Sequence, residues 1–190
     1  MSRHSRLGVF GGAFDPPHIG HRVVALDVCE RLGLERLIVV PAARPPHRDT
    51  RFAARTRLDL VRRTFAHDRC IEVSDIEYGT DEVSYTVNTL SRIKTTEGTD
   101  DQYAVFETWH EPTKILELAR LAVMRRSGDP IRPDPRFPFE PIEVTRIDVS
   151  GERIRRRLAA GQSIRYLVPD SIRADIEAEA EHSMGHTEVC

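Results

Sequence analysis

Apolar residues along this chain fall into short continuous runs that alternate with longer stretches of helical spacing. Leu7-Gly8-Val9-Phe10 is an apolar run stopped by Gly11-Gly12, which predicts a buried strand entering a tight turn. From His18 to Leu32 apolar residues recur at Ile19, Val23, Val24, Leu26 and Val28, as on a helix, and Gly33 is placed to end it. Leu37-Ile38-Val39-Val40 predicts a second buried strand, ended by Pro41. Ala42 to Thr50, rich in Pro and Arg, predicts a surface loop. A helix over Ala54 to Phe65, a strand over Ile71 to Ile76 and a helix opening within Ser84 to Ile93 follow.

The second half continues the pattern. Thr113 to Arg120 predicts a helix, and Leu121-Ala122-Val123-Met124 a strand running into Arg125-Arg126. Asp129 to Pro141 holds five prolines and predicts a loop, followed by a short strand within Ile142 to Val149. Ser150 is a credible cap for a helix reaching Ala160, with Gly161 as its stop. Asp170 or Ser171 caps a last helix that runs toward His182, and the tail after Ser183 is expected to fray. Strand alternating with helix implies βαβ units: an α/β, Rossmann-like, doubly wound parallel sheet with helices on both faces and a small C-terminal helical part. Without a repeat or linker, residues 1–183 read as a single domain, with 184–190 a flexible tail. Such sheets bind ligands outside the carboxyl ends of their strands, so the loops after Phe10 and Val40 are the places to search for chemistry.

Composition narrows the class. The 190 residues are 39% hydrophobic and 31% charged, enough for one core, and the net charge of −2 gives no field that would draw nucleic acid or an anionic membrane. Arg153, Arg155, Arg156 and Arg157 form a local basic run whose plain reading is a solvated helix face. Cys29, Cys70 and Cys190 are widely spaced, which fits neither a disulfide framework nor a zinc site and suits a reducing compartment. The first residues carry no apolar run of a signal peptide, and no stretch approaches the roughly 20 apolar residues of a membrane span. A cytoplasmic location is therefore expected, and the sequence leaves homo-oligomerisation open.

Gly11-Gly12-Ala13-Phe14-Asp15-Pro16-Pro17-His18-Ile19-Gly20-His21 is the most informative segment. Glycines allow backbone to approach a phosphate closely. The helix that follows points free N–H groups and the positive end of its dipole at the same place. His18 and His21 share one face of its first turn, where two imidazoles can donate to phosphate oxygens or to charge that builds during phosphoryl transfer. Gly20 between them is expected to leave room for a flat nucleotide over the helix start.

This string resembles the (H/T)xGH signature of the nucleotidyltransferase superfamily, and in its fuller form GGxFDPxHxGH the bacterial nicotinate-mononucleotide adenylyltransferases. Four more segments carry the same resemblance: Pro45-Pro46-His47-Arg48, Ser84-Tyr85-Thr86-Val87-Asn88-Thr89-Leu90, Thr108-Trp109-His110 and Ile164-Arg165-Tyr166-Leu167-Val168-Pro169. The resemblance implies adenylyl transfer from ATP to nicotinate mononucleotide, giving deamido-NAD and pyrophosphate, with Mg2+ accompanying the ATP. It implies catalytic roles for His18, His21 and Arg155. It places ATP against Gly11, Gly12, Phe14, His18, Gly20, His21, Asp101, Ser150, Ile154 and Arg155. It places the acceptor against Ala13, Phe14, Asp15, His47, Arg48, Thr86, Thr108 and Trp109, with Trp109 stacked on the pyridine.

The chain departs from the family pattern twice. The ISSTxIR signature falls on Val149 to Arg155 and reads Val-Ser-Gly-Glu-Arg-Ile-Arg, so Gly151 and Glu152 replace two hydroxyl residues. Gly151 keeps a backbone N–H for phosphate, Glu152 brings a negative charge, and Arg153 is available to offset it. The family also has a hydrophobic strand ending in GxD, for which Asp101 is the aspartate, with Asp100 the alternate. Only ten residues separate Leu90 from Asp101, and one of them is apolar. A strand of about 5–6 residues does not fit there. Losing a central parallel strand would open both neighbours' edges, so residues missing from this stretch of sequence are favoured over a true deletion. Two other readings stay open: the same chemistry on nicotinamide mononucleotide or phosphopantetheine, and a nucleotide-binding relative with impaired catalysis.

Overall fold

The computed structural model describes residues 6–46, 49–79, 81–97, 102–105, 110–126 and 137–185. The strands are β1 (Leu7–Gly12), β2 (Arg36–Pro41), β3 (Ile71–Val73), β4 (Gln102–Val105), β5 (Arg120–Arg126) and β6 (Phe139–Val144). The helices are α1 (Ile19–Leu32), α2 (Ala54–Phe65), α3 (Thr86–Glu97), α4 (Pro112–Leu118), α5 (Gly151–Ala159) and α6 (Asp170–Gly185). All strand pairs are parallel and the order across the sheet is β3-β2-β1-β4-β5-β6. This is the doubly wound order, whose direction of winding reverses between β1 and β4.

Side-chain alternation along the strands distributes the core over both faces. Phe10, Leu37 and Val39 pack with Ala25, Val28, Cys29 and Leu32 of α1 and with Val61 and Phe65 of α2. Leu7, Val9, Ile38 and Val40 face the other way, against Val87, Leu90 and Ile93 of α3 and Ile115 of α4. A third cluster joins Phe52 and Leu60 to Ile154 of α5, Ile164, Val168, and Ile172 and Ile176 of α6, forming the small C-terminal helical part. On α1 the buried stripe runs through Gly20, Ala25, Val28, Cys29 and Leu32, whereas Leu26, read as part of that stripe, is 48% exposed.

Several boundaries moved for local reasons. The strand read over Ile71 to Ile76 stops at Val73, because the Ser74 hydroxyl accepts the Ile76 N–H at 3.3 Å and turns the chain out of the ladder. The last strand begins at Phe139 and ends at Val144 instead of reaching Val149. Beyond it, Asp27 of α1 takes the Thr145 N–H at 2.6 Å, so that donor leaves the sheet. Arg120 opens β5 rather than closing α4, since Ala119 is extended (φ −153°). The last helix continues to Gly185, past the boundary expected at Ser183.

The larger correction concerns the central strand. A central strand is present in the sheet. It forms from Gln102-Tyr103-Ala104-Val105, after Asp101 instead of before it, and pairs with β1 on one side and β5 on the other. With two neighbours waiting for hydrogen bonds, the next segment able to extend fills the slot, which avoids two open edges. Gln102 pairs with Leu7, at the amino end of β1 and opposite to Gly11-Gly12.

Candidate active site

The carboxyl ends of β1, β2, β5 and β6 open onto a cavity of about 790 Å³ at the winding reversal. Gly11, Gly12, Ala13, Phe14, Asp15, His18, Gly20, His21, Thr86, Ser150 and Arg155 all line it, so residues from both ends of the sequence reading converge there. His47, Arg48, Asp101, Thr108 and Trp109 lie outside the described residues.

The two imidazoles are coupled. His18 caps α1 with extended backbone, and its N–H donates to Nδ1 of His21 at 3.1 Å. His18 is 8% exposed, and its ring stacks on that of His21 with centroids 3.7 Å apart and planes 25° from parallel. Burial pushes the His21 pKa well below the ordinary value of 6.5, and charge on His18 lowers it further. His21 is therefore neutral at pH 7 with Nδ1 used as an acceptor, which leaves its proton on Nε2 as a donor. Leu167 adds to the same helix end, its carbonyl accepting the Ile19 N–H at 3.0 Å. The C-terminal part thus docks on the first turn of α1.

Gly20 lines the cavity and also makes room for an imidazole: a Cβ there would lie 3.0 Å from His18 Nδ1 and 3.1 Å from its Cε1. Phe14 lines the cavity too. Its ring is 2% exposed, set edge-on to Phe10 (5.6 Å) and 4.8 Å from His21, so it supports the imidazole from beneath. Phe14 holds this place in the left-handed region, φ 47°, a costly backbone state for a bulky residue.

Asp15 is a hub. Its two oxygens accept the N–H groups of Arg51 and Phe52, each at 2.9 Å, and Oδ2 also accepts from Arg155 at 3.1 Å. The same Arg155 nitrogen bonds the Asp15 carbonyl. Its carboxylate is thereby committed to the protein, and one terminal nitrogen of Arg155 with it. At α5, the Ser150 hydroxyl accepts the Arg153 N–H at 3.1 Å, an N-cap that aims the helix start at the cavity. A Cβ on Gly151 would lie 2.5 Å from the Asp15 carbonyl oxygen, so this helix can sit so near only without a side chain there. Glu152 lines the cavity, while Arg153 donates to the Asp148 carbonyl at 2.8 Å. Ile154 is fully buried in the third cluster.

Four residues to which the sequence reading gave no role shape the site. Tyr85 and His110 stack with centroids 4.3 Å apart at 29° and both line the cavity. Arg57 and Glu77 are buried beneath the loops. The available signal for Arg57 was its phase: it shares a helical stripe with Leu60, Val61 and Thr64, all buried.

Residues 9–157 match the model of the cytidylyltransferase-like family. The chain is 36% identical over 203 aligned positions to the "Probable nicotinate-nucleotide adenylyltransferase" of Pseudomonas putida strain GB-1, covering 91% of this chain and 93% of that protein. It is 37% identical over 180 positions to a protein of the same name from Thermus thermophilus, covering 90% and 96%. Among solved structures, the Plasmodium falciparum nicotinic acid mononucleotide adenylyltransferase complexed with NaAD superposes with a TM-score of 0.73 over 97% of both chains at 15% identity, a likeness of fold. The chain belongs to the cytidylyltransferase-like family and, within it, to the nicotinate-nucleotide adenylyltransferases.

Proposed function

We propose that this protein, with residues 1–183 as one catalytic domain, transfers the adenylyl group of ATP to nicotinate mononucleotide and releases pyrophosphate. The observation that carries the reading is the stacked His18–His21 pair at the start of α1, facing a cavity that the amino end of α5 also enters. In the reaction an oxygen of the acceptor's phosphate attacks the α-phosphorus of ATP, the bond to the bridging oxygen of pyrophosphate breaks, and a phosphoanhydride forms. No side chain needs to become covalently attached, so the protein's work is alignment and charge stabilisation. The His21 Nε2–H, the His18 ring, the amides opening α5 and the outer nitrogens of Arg155 are the donors for the polyphosphate.

The cavity wall divides by sheet half. Val123, Met124, Val144, Ser150 and Arg155 belong to the β5–β6 side and suit the nucleotide, whereas Ala42, Pro45, Thr86 and the Tyr85–His110 pair belong to the β2 side and suit a flat pyridine. Mg2+ fits as an ion carried by the nucleotide. Among the described residues no group of three or more His, Cys, Asp or Glu is placed to hold a metal, and Asp15 is already bonded to two amides and Arg155. The ion would screen phosphate charge during attack. A cytoplasmic setting completes the proposal; among the described residues no helix is long and apolar enough to cross a membrane.

The test is pyrophosphate release from ATP-Mg with nicotinate mononucleotide, nicotinamide mononucleotide and phosphopantetheine in parallel, beside calorimetric ATP binding. Preference for the nicotinate acceptor is expected. Tight ATP binding with no turnover on any acceptor would overturn the reading in favour of a binding protein, for which Glu152 in the cavity is the motive.

A further inference from the structure

The loops after β1 and β2 carry main chain along the β2 side of the cavity, yet neither belongs to a ladder. A single buried guanidinium gathers them. Arg57, in the first turn of α2 and 0% exposed, donates from Nε to the Phe52 carbonyl at 3.1 Å. One terminal nitrogen donates to Ala13 at 2.7 Å and Ala42 at 2.6 Å, and the other to Ala43 at 3.1 Å. Three separate segments are thereby fixed by one planar fork, a task no other side chain has the geometry for. The opposite side is fixed by acids: Glu77 accepts the Ala43 N–H at 3.3 Å and the Thr89 hydroxyl, and Asp15 accepts the Phe52 N–H. Ala43 and Phe52 are each held at both N–H and C=O. Burial lowers the Arg57 pKa, and Tyr78, Asp15 and Glu77 oppose that shift.

A buried cation is an expensive way to fill a core, since apolar side chains of similar volume often do so at no loss of stability. Main-chain order along the cavity wall is what this one adds. Resting on the adenylyl-transfer reading, we propose that Arg57 is a positioning residue for the acceptor: it never touches the mononucleotide, but sets the Ala13 and Ala42 peptides that line its half of the cavity and the Ala43 peptide that follows them. Its hydrogen bonds go to Phe52, Ala13, Ala42 and Ala43, and none of them to β5, β6 or α5, which build the nucleotide half.

The experiment is steady-state kinetics of Arg57→Lys and Arg57→Met, with melting curves and calorimetric binding of nicotinate mononucleotide and of ATP-Mg to the same preparations. Lysine keeps the charge but cannot span three segments. The acceptor KM should rise about tenfold or more in both variants, with the ATP KM changed by less than about twofold, because small displacements of a positioning group are costly. Unchanged acceptor KM in a folded variant overturns the proposal, and so does an equal rise for both substrates. If neither Arg57 variant folds, Thr89→Val, which loosens Glu77 from the outside, must weaken the acceptor selectively, and no weakening overturns the proposal. Should the wild-type protein bind nicotinate mononucleotide without turning it over, the calorimetric constants still decide the role of Arg57, while the adenylyl-transfer reading fails on its own terms.

Discussion

At the scale of single residues, the site depends on contacts between its own groups as much as on groups facing outward. His21 is neutral because it is buried under His18, and that has a thermodynamic consequence. Above 6.5, the ordinary His value, folded and unfolded chains both carry a neutral His21 and pH has no leverage through it. As pH falls below 6.5 the unfolded chain takes up a proton that the folded one refuses, so stability drops until the folded pKa is reached. Denaturation midpoints between pH 7 and about pH 5 should fall more steeply for the wild-type protein than for His21→Asn; parallel slopes would count against the assignment. The same variant should lose about 10²- to 10³-fold in kcat with little change in acceptor KM, as when a transition-state donor is removed. Gly151 gives a less intuitive result. Restoring the serine of the family signature with Gly151→Ser should destabilise by about 1–3 kcal/mol, because the Asp15 carbonyl is main chain and cannot step aside. Urea titration would read it, and a variant as stable as its parent would mean that α5 shifts freely.

At the scale of elements, β4 is the place to look. Three of its four residues, Tyr103 to Val105, carry ladders on both sides, so the amides of residues 103–105 should exchange with deuterium about as slowly as those of β1. Exchange within seconds would show that this slot is not held in solution. The alternation of apolar runs and amphipathic stretches was enough to read β1, β2 and the α1, α2 and α5 helices, because each is bounded by a residue that stops it physically, such as Gly33 at φ 59° or the Ser150 cap. β4 was not legible. Gln102-Tyr103-Ala104-Val105 becomes a strand through the demand of its neighbours, and nothing in four residues of mixed character announces that. The histidine pair, the two glycines and Arg155 could be read from spacing and resemblance. Arg57 and Glu77 could not, since their bonds go to backbone carbonyls and amides that only the folded loops bring near.

At the scale of the molecule, the strand order places the reversal between β1 and β4, and the cavity draws on both halves of the sheet and on both ends of the sequence. No half of the fold contains the site. The bond from Ile19 to the Leu167 carbonyl shows how far this goes, for it fastens the opening turn of the first helix to the last connector of the chain. Damage to that connector should register in chemistry before it registers in folding. Arg165 and Tyr166 beside it are exposed, Tyr166 at 74%, so trypsin has a target at Arg165. On the proposed reading ATP-Mg grips the start of α1 and should slow that cut, and a nicked protein should lose turnover while much of its helix signal remains. Equal digestion rates with and without nucleotide would mean that the two ends of the chain do not sense each other.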